Sequence, residues 1–162
     1  MIDQFYERRS AWVRLVDDRT RASIESGAHQ VVVLGAGLGT RAFRLSMPAD
    51  LVWFELDQPE IFAFKEPVLQ RLSPRSACHR HTVPVDLRSD WAGPLIDSGF
   101  QQTVPTTWIE EGVLGYLPHD KAISLAATIT ELSALGSTFS TSHLEVDEHH
   151  PPLPRAEEPG VR

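Results

Sequence analysis

The sequence predicts an α/β protein built on one open, parallel sheet. Three observations carry this: a short, β-branched apolar run at residues 30–34, a glycine-rich stretch directly after it, and a strand-then-helix alternation down the chain. Residues 5–26 have helical spacing, with Trp12, Leu15, Val16 and Ile24 as candidate buried positions and Gly27 as a stop. Gln30-Val31-Val32-Val33-Leu34 is apolar in consecutive positions, as a strand covered on both faces requires. A helix is expected at 41–45 and, after Pro48 and Asp50, a second strand at 51–55. The turn Asp57-Gln58-Pro59 leads into a helix at 60–72, then a third strand at 81–85 that ends at Asp86. A helix at 91–98, a strand at 106–110, a helix at 119–132 and a strand at 138–146 complete the pattern. Short links between alternating strands and helices imply parallel strands with helices on both faces. Residues 1–148 read as this one domain; from His149 the chain is Pro-rich and charged, and 149–162 is expected to be a disordered tail.

Bulk properties narrow the function. The 162 residues are 41% hydrophobic and 23% charged, a globular composition. No apolar run approaches the roughly 20 residues that cross a bilayer, and the N-terminus lacks the apolar segment of a secretory signal. The single cysteine, Cys78, fits a reducing compartment, so the cytoplasm is the expected location. The net charge is −7 and the basic residues are scattered. The Arg-rich segment 8–21 is interleaved with Asp17 and Asp18 and flanked by Glu7 and Glu25, which reads as a solvated helix face laced with ion pairs. Neither nucleic acid nor a membrane is expected as a partner. Cys78, His79 and His81 would diverge on a loop entering a strand, so no metal site is expected. No nucleophilic triad presents itself, and no catalytic residue is assigned.

Four motifs carry chemistry, each at the end of an expected strand. In open α/β sheets, ligands bind there. Gly35-Ala36-Gly37-Leu38-Gly39 lets the backbone turn sharply and lets a ligand approach without a Cβ in the way. The dinucleotide fingerprint wants a Gly or Ala three positions after its second glycine, where Thr40 stands. The G-x-G-x-G form therefore favours S-adenosylmethionine, which has no pyrophosphate to wrap, over a nicotinamide dinucleotide. About 20 residues further on, Glu55 and Asp57 lie two apart at the end of the second strand, and either carboxylate could accept both ribose hydroxyls. Asp86 could accept a bond from an adenine amino group, with Leu87 against the ring, or could be the N-cap of the next helix. Of Glu110 and Glu111, one can face the cleft, to bind an α-amino group or offset a sulfonium charge, while the other faces solvent. Tyr116 could line the substrate side or simply pack.

The pieces QVVVLGAGLGTRAFRL, VWFELDQPEIFAFKEPVL, VPVDLRSDW and EEGVLGYLP, in this order, resemble the leucine carboxyl methyltransferase family over roughly residues 11–145. More narrowly, they are similar to its bacterial branch of S-adenosylmethionine-dependent methyltransferases, relatives of polyketide O-methyltransferases. The resemblance implies a class I, Rossmann-like sheet of order 3-2-1-4-5, with S-adenosyl-L-methionine as cofactor. It carries cofactor binding to Gly35, Asp57, Asp86, Leu87 and Glu111, with Gly37 in the same loop, and so favours Asp57 over Glu55 for the ribose. It also implies an arginine before the first strand that meets the cofactor carboxylate, a role that Arg9 or Arg14 could fill. The family usually has Asp where Gly39 stands, and it continues for two more strands after the fifth, which this chain is expected to lack. The expected function is methyl transfer to a carboxyl or hydroxyl group of a small-molecule acceptor. The alternative is a non-catalytic form that binds the cofactor weakly or pairs with another chain through an exposed fifth strand.

Overall fold

A computed structural model describes the backbone of residues 2–141 and the side chains of residues 10–141. The elements alternate as expected: α1 (Ile2–Glu25), β1 (Gln30–Leu34), α2 (Arg41–Arg44), β2 (Val52–Asp57), α3 (Pro59–Leu72), β3 (His79–Pro84), α4 (Ala92–Asp97), β4 (Thr106–Glu110), α5 (His119–Leu132) and β5 (Thr138–Thr141). A single 3-10 turn, Leu114–Tyr116, lies between β4 and α5. The strands form one parallel sheet in the order β3-β2-β1-β4-β5. The tail expected at 149–162 and the outer part of the fifth strand, 142–146, lie outside the described residues.

The sheet's two faces follow from the period of two along each strand. Val32, Leu34, Phe54, Leu56 and Trp108 pack on one side with Leu95 of α4 and Leu125, Ile129 and Leu132 of α5. Val31, Val33, Trp53 and Ile109 pack on the other with Val16 of α1 and Ala42 of α2. The register places Val32 between Phe54 and Trp108, so the first face has a row of large side chains at its centre. Truncating Trp108, which is fully buried and donates its Nε1–H to Ser133 Oγ at 2.9 Å, would cost about 3–5 kcal/mol.

Buried polar groups fix the remaining contacts. The side chain of Gln30 is buried at the start of β1; it donates to Gln101 O at 2.8 Å and accepts from Gln101 N at 2.9 Å. That exchange closes the end of the sheet away from the glycine loop. On α1, Val16 is buried as expected and Trp12 and Ile24 are partly buried, but Leu15 is exposed. The helix's buried stripe is instead largely polar: Asp17, Thr20 and Ser23. Thr107 Oγ1 donates to Ser23 Oγ at 2.7 Å, and the Ser23 and Thr138 hydroxyls are 2.8 Å apart, which ties α1 to β4 and β5.

Candidate functional site

Strands β1 and β2 end side by side, and the chain leaves β1 through the glycine loop. The N–H groups of Gly35 and Ala36 both donate to Leu56 O, at 2.9 and 3.0 Å, which bends the loop over the end of β2. Gly35 has φ +71° and Gly37 φ +50°, left-handed conformations that favour glycine. A Cβ on Gly35 would lie 2.9 Å from Val113 Cγ2, so the segment after β4 also needs glycine here. A Cβ on Gly37 would meet nothing within 4 Å: that position opens onto free space. At Gly39 a Cβ would lie 2.9 Å from Ala36 O, the acceptor of the Gly39 N–H in the same turn.

Asp57, the last residue of β2, faces this loop. Gly37 N donates to its Oδ2 at 2.6 Å and Gln58 N to its Oδ1 at 2.7 Å. Glu55 does not share the site. It is buried beneath α3, where Lys65 Nζ donates to its Oε2 at 2.7 Å and Arg80 Nη2 at 2.6 Å. Arg80 also grips Glu66 through both terminal nitrogens and lies over the Phe43 ring. Burial works against its charge, but the bonds to Glu66 and Glu55 more than offset this and raise its pKa. The choice between the two β2 acids is thus made by partners on α3 and β3.

Asp86 follows β3 and does not cap α4, which starts only at Ala92. Its Oδ1 accepts the Arg88 N–H at 2.9 Å, closing a local turn, and the Arg88 guanidinium holds both oxygens. Those hydrogen bonds lower its pKa to about 2, so it is ionised at any physiological pH. The Leu87 side chain is buried in the core with Trp91 and Leu95.

Glu110, which ends β4, and Glu111, which follows it, have separate surroundings, and neither simply faces solvent. Glu110 is completely buried; its Oε1 accepts Leu114 N–H at 3.0 Å and its Oε2 accepts the Thr141 hydroxyl at 2.6 Å. It shapes the turn that carries Glu111. Glu111 points toward the glycine loop, where Arg41 of α2 binds it through both terminal nitrogens. Arg41 Nε donates to Asp17 Oδ1 at 2.7 Å, and Arg44 also holds Asp17. Burial alone would raise the Asp17 pKa, but the bonds from Arg44 and Arg41 outweigh it and the net shift is downward. Arg41 shifts upward because Glu111 and Asp17 outweigh its desolvation.

Sequence reasoning missed this network. The segment 8–21 reads as a solvated face, yet Asp17 is buried and joins α1 to α2; among the described residues the Arg21–Asp18 pair fits the surface expectation. Its position in the stripe Val16, Asp17, Thr20, Ser23 is the signal that could have found it. Arg14 is exposed, and the side chain of Arg9 lies outside the described residues; among the described residues, Arg41 is the arginine that meets Glu111 beside the loop. Tyr116 does not pack: it is 89% exposed. Cys78 is buried while His79 and His81 are exposed, and among the described residues no group of three metal-ligating side chains converges. No helix among them is long and apolar enough to cross a membrane.

Comparison with known proteins gives a family and several relatives. The family described as "Leucine carboxyl methyltransferase" matches residues 2–130. The chain is 44% identical over 139 residues to a protein of Mycobacterium sp. (strain JLS), covering 86% of this chain and 45% of that one. It is 45% identical over 127 residues to a protein of Saccharopolyspora erythraea, covering 78% of this chain and 44% of that one. Both relatives bear the name "Putative S-adenosyl-L-methionine-dependent methyltransferase". The chain spans less than half the length of these curated relatives. With a family match across most of the chain and the expected sheet order, this protein belongs to the leucine carboxyl methyltransferase family.

Proposed function

We propose that this chain binds S-adenosyl-L-methionine across the ends of β1 to β4 and serves a methyltransferase that modifies a carboxyl or hydroxyl oxygen of a small molecule. The observation that carries the reading is the placement of Asp57 against Gly37. Each Asp57 oxygen takes one main-chain N–H, which orients the carboxylate and leaves a lone pair on each oxygen for a ribose hydroxyl. The open space at Gly37 lets the ligand approach the same loop. The relatives' names support the choice of cofactor.

The other roles are those that the resemblance implies: Gly35 bends the loop, Asp86 accepts from the adenine amino group in competition with Arg88, Leu87 supports the turn beside the ring from the core, and Glu111 accepts from the α-ammonium. When bound, the cofactor supplies an electrophilic methyl carbon on a sulfonium, and the protein's part is to hold the acceptor in line with it. Exposed Leu38 and Tyr116, on the segments after β1 and β4, offer apolar surface for that acceptor. A carboxylate acceptor is ionised at neutral pH and needs no base; a hydroxyl acceptor would need one.

The test is transfer of a labelled methyl group to a panel of carboxylic and phenolic acceptors. Labelling that disappears in Asp57→Ala supports the reading. Failure of every oxygen acceptor, with labelling of amines or thiols instead, would reject the oxygen assignment.

A further inference from the structure

Helix α3 turns Phe62 and Lys65 into the fold, and its opposite side carries a row of Glu60, Phe64, Pro67 and Arg71, spaced as neighbours on one helix face. All four are exposed, Phe64 at 63%, and Leu72, 70% exposed, flanks the row beside Arg71. A single exposed apolar side chain is ordinary; here three share one side of one helix. The other charged residues of the helix up to Arg71 are already used, Lys65 by Glu55 and Glu66 by Arg80. Glu60 and Arg71 have no ion-pair partner among the described residues. The chain has a net charge of −7, yet this row holds one charge of each sign. Two copies can therefore meet there without the repulsion that the rest of the surface imposes.

The row is complementary to itself. Turned end for end about a point between Lys65 and Glu66, it sets Glu60 opposite Arg71 and Phe64 opposite Pro67. Independently of the cofactor reading, we propose that two copies of this chain associate through α3, packed antiparallel about a two-fold axis at that point. Phe64 of each copy lies on the partner's Pro67, and Glu60 of each pairs with the partner's Arg71, so every contact is made twice. The two ion pairs sit at the rim, where they fix orientation more than strength. One helix face covers less than the roughly 1,200 Å² of a lasting complex, so the dimer is weak and forms as concentration rises. The contact lies at the β3 end of the sheet, away from β5.

The test is sedimentation velocity of the full chain from micromolar to millimolar concentration, with circular dichroism of each variant to verify its fold. The mass of the parent should climb from that of one chain toward that of two. Phe64→Asp, at a side chain that the fold does not bury, should weaken association by about tenfold or more, and Phe64→Ser should act in the same direction. Glu60→Arg and Arg71→Glu should each weaken it by setting like charges face to face, and the double variant should recover it. A parent that remains a single chain at millimolar concentration would overturn the proposal. Association that folded Phe64→Asp and Phe64→Ser leave intact would place the contact elsewhere, on β5 or another surface, and overturn it too. A double charge swap without recovery would reject the antiparallel pairing, and growth beyond two chains would reject the two-fold contact, which closes on itself.

Discussion

The Gly37 main-chain N–H and the Asp57 carboxylate are joined at 2.6 Å, so the acid that ends β2 also holds the loop that follows β1. Asp57 therefore has two duties, and substitution should affect both. Asp57→Asn places an amide NH2 where one of two N–H donors now finds an oxygen. S-adenosylhomocysteine should bind about 1–3 kcal/mol more weakly, and the melting temperature of the free protein should also fall. Unchanged affinity by calorimetry would contradict the ribose assignment.

Glu55, two residues earlier, should behave in the opposite sense. Glu55→Ala leaves Lys65, which is 4% exposed, and much of Arg80 buried without this partner. Losing one member of a buried ion network costs about 3–5 kcal/mol of stability. Urea unfolding would measure that loss, and affinity per folded molecule should change far less than in Asp57→Asn. A stable Glu55→Ala protein that cannot bind ligand would mean that the two acids have been assigned the wrong way round.

Gly35→Ala introduces two separable costs. Its φ of +71° is unfavourable for alanine by roughly 1–2 kcal/mol, and the new Cβ meets Val113 Cγ2 at 2.9 Å. The double variant with Val113→Ala should recover most of the second cost, the residue 113 Cβ remaining at 3.2 Å, and keep the first. Strict additivity of the two substitutions in a denaturation cycle would show that the Val113 contact is not what restricts this position.

Acid should weaken the α1–α2 junction through Asp17. Its folded pKa lies below the ordinary value of 3.8, so its stabilising contribution is full above that value and is lost as pH falls below it toward the folded pKa. Asp17→Asn removes this contribution at neutral pH and with it part of the acid slope. Stability measured from pH 6 to pH 2 should therefore fall less steeply in the variant than in the parent. Parallel curves would place Asp17 outside the buried network.

The sheet was largely legible in the sequence because its central strands are covered on both faces. The expected bounds of β1 and β4 coincide with the observed Gln30–Leu34 and Thr106–Glu110. The sequence pattern predicts the edge strand β3 at 81–85, but it runs His79–Pro84, since its first residues, His79, Arg80 and His81, carry no apolar signal. The site was legible only where one strand end defines it. Spacing along β2 could not separate Glu55 from Asp57, because Lys65 and Arg80 make that distinction from other elements. The Arg41–Glu111 pair joins residues 70 positions apart, and only the pairing of β1 with β4 brings them together.

The most direct test of the account is calorimetric titration of this chain with S-adenosylhomocysteine and NAD in parallel. The arrangement of Gly37, Asp57 and Glu111 predicts saturable one-to-one binding of S-adenosylhomocysteine and at least tenfold weaker binding of NAD. Tighter binding of NAD, or no binding of S-adenosylhomocysteine by the folded protein, would contradict it.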